Sequence, residues 1–178
     1  MAAKTPLERV QESEKLLERL MLALPGFRGY KLREQRREAD KIVRNYIYDT
    51  FEQSRDDLTR CFQVLSDSKA SELLEPMNRV IAVLDRVAER INHASYGYSG
   101  FFDSVKIEEP ELDRMLAYDA QLMDSARGFS ETVTSFRNNL DQGKIENAKG
   151  ELDALNDALR SLEGAFAKRK AIIEGVKV

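Results

Sequence analysis

Two heptad repeats that follow one another near the C-terminus constrain the fold of this 178-residue chain more than any other feature. The core positions of these repeats are mostly apolar. They fall first at Leu112, Met115, Asp119, Leu122, Ala126, Phe129, Val133, Phe136 and Leu140, and then at Ile145, Ala148, Leu152, Leu155, Leu159, Leu162, Phe166, Arg169 and Ile173. Helices with such a repeat bury one narrow face against a neighbour. Because only a short turn centred on Gly143 separates them, the two helices are predicted to form an antiparallel hairpin.

The middle of the chain predicts a second hairpin. Between Lys31 and Asp67 there is no Gly or Pro, and an apolar stripe runs through Ala39, Val43, Ile47, Phe51, Leu58, Cys61, Phe62 and Leu65. This pattern predicts one helix of about 55 Å. After a polar break over residues 66–71, a further apolar stripe predicts a helix ending near Ala94. Its start is ambiguous because Pro76 is best tolerated in a first turn.

A shorter helix is predicted before these four. Thr5 is a suitable N-cap, Pro6 suits the first helical position, and Glu8 completes a capping box. Leucines then recur at helical spacing until Leu24, and Pro25 begins a turn. The sequence therefore predicts an all-α fold. The expected architecture is an elongated antiparallel helical bundle of four principal helices plus a shorter N-terminal helix, with coiled-coil-like packing, in one domain over residues 1–178.

The composition restricts the classes of function. The 28 basic residues nearly balance the 31 acidic residues, whereas dedicated nucleic-acid-binding proteins usually have a basic excess. The single cysteine, Cys61, favours a reducing compartment. The longest apolar run, over residues 20–24, is too short to cross a membrane. We therefore expect a cytoplasmic protein with no integral membrane segment.

The sequence contains no motif that predicts catalysis, a metal or a cofactor. Metal-binding helical bundles commonly use inward Glu residues with Glu-x-x-His pairs, but this chain has one histidine, His93, and no such pair. One His and one Cys cannot form a zinc cluster, and no glycine-rich phosphate loop is present. His93 lies off the apolar stripe of its helix and is expected to be solvated. The prediction is a protein that is not an enzyme and needs no cofactor.

The stretch Arg28–Arg44 is the first candidate binding segment. It contains seven basic residues against three acidic ones, and Arg33, Arg37, Lys41 and Arg44 recur at helical spacing. Such a face can bind phosphate, an acidic protein or an anionic lipid. The alternative is a solvated helix of mixed charge, in which pairs such as Asp40 and Arg44 contribute only a few tenths of a kcal/mol.

The second candidate is the aromatic and glycine-rich stretch over residues 96–102. The helix that ends near Ala94 is predicted to run back along the long helix over residues 31–67. Its last turn then lies beside about residue 45 of the long helix, and this stretch adjoins the basic segment. It would be either a recognition loop or a plug that closes the end of the bundle. The predicted binding residues are Arg28, Tyr30, Arg33, Arg37, Lys41, Tyr96, Tyr98, Phe102 and Asp103.

Asp119 is the exception among the early core positions of the first heptad repeat. Either it is buried and specifies how helices pair, or it is half exposed because the repeat drifts. Together these features favour a non-enzymatic structural or protein-interaction module that binds a protein partner or a second copy of itself. The alternative is an anion binder, for a phosphorylated ligand, a lipid head group or, least favoured, nucleic acid, at the end formed by the two candidate segments.

Overall fold

The computed structural model describes residues 33–93 and 109–173, and it describes side chains for residues 41–93 and 118–168. Four helices make up these ranges: α1 (Arg33–Asp67), α2 (Ser71–His93), α3 (Glu109–Asp141) and α4 (Ala148–Ile173). They confirm the four predicted principal helices, and the described ranges contain no strand. The predicted N-terminal helix over residues 5–24 lies outside the described residues.

Both hairpin turns begin with the same helix-ending motif. Lys69 and Gly143 have positive φ angles of 59° and 74°. The next amide in each case donates to a carbonyl five residues earlier, Ala70 N to Leu65 O at 3.2 Å and Lys144 N to Asn139 O at 2.9 Å. This is the Schellman arrangement, which satisfies carbonyls that a helix end would otherwise leave without donors. Glycine adopts the required backbone freely, whereas Lys69 adopts it against a steric penalty.

The two hairpins pack side by side to form a square. Helix α1 contacts α2 and α3, and α4 contacts the same two helices, so α2 and α3 stand diagonally opposite. Helices are antiparallel within each hairpin. Helix α1 of the first hairpin is parallel to α3 of the second. Their contacts advance in the same direction along both helices, from Phe51–Phe129 to Asp57–Arg137. The chain therefore forms an up-down-up-down bundle in which the two hairpins lie in parallel register.

The core fills the space between the four helices. Its largest fully buried side chains are Phe51, Phe136, Ile47, Leu58, Leu65, Met77, Leu84, Ile91 and Leu122. At the centre, the rings of Phe51 and Phe129 meet edge to face with centroids 5.6 Å apart, an arrangement that aromatic quadrupoles favour. Every heptad position of α3 from Leu122 to Leu140 is buried, as the sequence predicted.

Each of the four helix interfaces also carries a polar link at the surface. Arg55 Nε lies 2.6 Å from Asp85 Oδ1 between α1 and α2, and Arg137 Nη1 lies 2.6 Å from Asp57 Oδ1 between α1 and α3. Arg86 and Arg90 of α2 both pair with Glu163 of α4. Asn139 Nδ2 donates to Glu151 Oε1 between α3 and α4 at 2.7 Å. Links that are exposed, such as Arg55–Asp85, contribute little stability each, whereas Arg137–Asp57 and Asn139–Glu151 are partly buried.

Candidate functional site

The end of the bundle at which α2 terminates is organised by Arg44. Its guanidinium Nη1 donates to the backbone carbonyl of Asn92 at 3.1 Å, and α2 ends one residue later at His93. A cation bound to a C-terminal carbonyl satisfies an acceptor that lacks a helical donor and interacts favourably with the helix dipole. The contact confirms the prediction that the last turn of this helix lies beside about residue 45 of α1.

Arg44 corrects one part of the basic-face hypothesis. With only 5% of its surface exposed, it is a buried residue and not a member of a solvated helix face. The reason is its heptad phase. Arg44 stands seven residues before Phe51, and Phe51 stands seven before Leu58, so all three occupy equivalent core positions of α1. This heptad phase was the sequence signal that could have identified Arg44 as a core position.

Asp119 is the second charged residue in the core at this end. It is fully buried, which decides between the two readings that the sequence left open. The contact between Phe51 and Phe129 sets the register of α1 against α3, and in that register Leu122 stands level with Arg44. Asp119 therefore lies about one turn beyond Arg44. At this end, two helices carry charged residues at positions that are apolar along most of the bundle.

Helix α1 continues past this charged layer although α2 does not. Residues 33–43 extend α1 by about 16 Å beyond Arg44, at 1.5 Å per residue. Helix α3 accompanies this extension, because it begins at Glu109, well before the level of Leu122. Within the described ranges, no helix takes the place of α2 beyond His93. Among the four described helices, only α3 therefore accompanies α1 over residues 33–43.

The structure places three of the predicted binding residues on this extension. Arg33 and Arg37 lie within the helical backbone of α1, although their side chains are outside the described set, and Lys41 is exposed. The remaining predictions, Arg28, Tyr30, Tyr96, Tyr98, Phe102 and Asp103, lie outside the described residues. The predicted convergence of both candidate segments thus remains a prediction, supported by the position of α2's last turn.

A groove of about 580 Å³, formed by residues with polar side chains, runs between α1 and α3, a feature that the sequence did not predict. It is lined by Tyr46, Asp49, Thr50, Gln53, Arg127, Ser130, Glu131 and Thr134. The threonine hydroxyls donate to carbonyls of their own helices, and Arg127 pairs within α3 with Asp124 and Glu131. The groove is an open surface depression in which the charged arginine is already paired. The residues that line this groove lie on two helices far apart in the sequence, so no spacing pattern in the sequence predicts it.

A smaller groove of about 350 Å³ between the same two helices contains the only cysteine of the chain. Cys61 is buried beside Arg137 and Leu140. Burial, with a further contribution from the Asp57 and Asp141 carboxylates, raises the pKa of the Cys61 thiol to about 11. Because the thiolate is the reactive form, this environment suppresses nucleophilic chemistry at physiological pH.

The thiol of Cys61 is therefore expected to react slowly in the folded protein. At pH 8, modification by a chromogenic disulfide reagent should be on the order of a hundred times slower than in the unfolded chain, because both the thiolate fraction and access are reduced. The rate of thiol modification is measured in buffer for the folded protein and in guanidinium chloride for the unfolded chain. Equal rates would show that Cys61 is accessible and ionised in the native bundle.

The remaining sequence expectations concern metals and membranes. His93 is exposed, as predicted, and its Nε2 lies 2.8 Å from a Glu89 carboxylate oxygen one turn earlier. Among the described side chains, no cluster of three or more His, Cys, Asp or Glu residues has a geometry suited to a metal ion. None of the four described helices combines the length and apolar character needed to span a bilayer.

The described part of the chain belongs to the class of helical bundles: its four helices pack together, with the buried charged residues Arg44 and Asp119 at one end. Comparison with known proteins adds no family to that description. No protein-family model matches the chain, and no curated protein or solved structure shows significant similarity to it.

Proposed function

We propose that the protein is a non-enzymatic interaction module that binds a protein partner with the end of the bundle at which α2 terminates. The four-helix body serves as a rigid support, because apolar side chains fill its core and polar links join each pair of neighbouring helices. A free, buried Cys61 fits a reducing, cytosolic compartment.

The observation that carries the proposal is the extension of α1 beyond α2. A helix in a bundle is normally stabilised by neighbours on both flanks, because most helical stability comes from packing. Residues 33–43 have α3 on one flank, whereas α2 ends at the level of Arg44 on the other. None of the described helices covers this second flank, and helix-in-groove contacts on such a surface are a common form of protein recognition.

The alternative of a small anionic ligand has less support. Of the basic residues in the Arg28–Arg44 stretch, Arg44 is buried and already donates to the Asn92 carbonyl. A phosphate site needs several donors converging on one point, whereas Arg33, Arg37 and Lys41 are spread along the helix axis. A row of cations at regular spacing suits an extended protein surface better than a compact anion.

Reversing the charge at two positions of the extension tests the proposal. The double variant Arg33→Glu with Arg37→Glu should lose capture of a cellular protein partner in affinity purification, while its melting temperature stays within about 2 °C of the parent. The thermal effect is expected to be small if the two arginines serve binding and not packing, because a surface charge contributes only about 0–1 kcal/mol to folding. Quantitative mass spectrometry of the captured proteins and circular dichroism melting measure the two quantities.

The matched control is Arg79→Glu with Arg160→Glu, which makes the same change in net charge at two exposed positions of α2 and α4. This control should retain the captured partner. Loss of capture in both double variants would show that only overall charge matters. A large fall in melting temperature with unchanged capture would instead identify the extension as part of the structural end of the bundle, which is the plug interpretation.

A further inference from the structure

We draw no further inference here: the strongest candidate, the groove between α1 and α3 that Tyr46, Thr50, Ser130 and Thr134 help to line, is an open surface depression, and nothing in the described part of the chain shows what occupies it.

Discussion

Replacing Phe51 by Ala is expected to destabilise the bundle more than any other single change considered. Its side chain is fully buried, and its ring packs edge to face on Phe129 between two parallel helices. Truncation removes apolar contacts and leaves a cavity that the rigid helices can close only in part. The free energy of unfolding should therefore fall by about 3–5 kcal/mol. Urea unfolding followed by circular dichroism at the helical band measures this value.

Two further variants show whether burial is the cause of this loss. Phe51→Leu keeps most of the volume and should lower the free energy of unfolding by about 1.5 kcal/mol or less. Val64→Ala removes an apolar side chain of which 37% is exposed, so it should change stability by no more than about 0.5 kcal/mol. Similar losses for Phe51→Ala and Val64→Ala would contradict the packing of α1 against α3.

The Asp119→Ala substitution is expected to have the second largest effect. This carboxylate is fully buried at a heptad core position of α3, and it has an interaction partner within the protein. Because Asp119 itself is excluded from solvent, removing its carboxylate abolishes that interaction at a core position, which should lower the free energy of unfolding by about 3 kcal/mol. Chemical unfolding compared with the parent protein gives the difference.

The control for Asp119 is Asp153→Ala, which removes an exposed carboxylate from α4 and should change stability by less than about 0.5 kcal/mol. A double-mutant cycle of Asp119→Ala with Arg44→Ala then measures whether the two buried charges, about one turn apart in the bundle, are energetically coupled. If Asp119→Ala is as mild as Asp153→Ala, the buried charge is not part of the packing at this end.

The charged layer changes how the basic segment of α1 is interpreted. A sequence stretch with seven basic residues invites a single function for all of them. The tertiary contacts divide the stretch, because Arg44 belongs to the core and holds the end of α2, whereas Lys41 is exposed. The proposed binding surface therefore lies beyond the layer, whereas Arg44 itself contributes to the packed end of the bundle.

Much of the fold could be predicted because it depends on local periodicity. Heptad spacing located the buried face of α3, including Leu122, Phe129 and Phe136, since a residue's orientation about a helix depends only on its position along the chain. The absence of Gly and Pro predicted the length of α1, and Gly143 predicted the turn between α3 and α4. Pro76 obscured the start of α2, which in fact begins at Ser71 and includes the proline in its second turn.

The candidate site was predicted less completely. Helical spacing placed Arg33, Arg37, Lys41 and Arg44 on one basic face, and the hairpin rule brought the end of α2 to the level of residue 45. Spacing alone did not show that Arg44 is buried against the end of α2. That result needed the contacts of Arg44 with Asn92 and of Arg55 with Asp85, which join residues far apart in the chain.

The sequence by itself determined the helices, their apolar faces and the two antiparallel hairpins, because each follows from interactions between residues close along the chain. Only the tertiary structure decided that α1 lies beside α3 in parallel register, that Asp119 is buried, and that Arg44 is buried at the end of α2. The physical reason is that two amphipathic hairpins can bury the same apolar faces in several relative directions and registers. The choice among them depends on side-chain packing and charge pairing across helices, which no single segment contains.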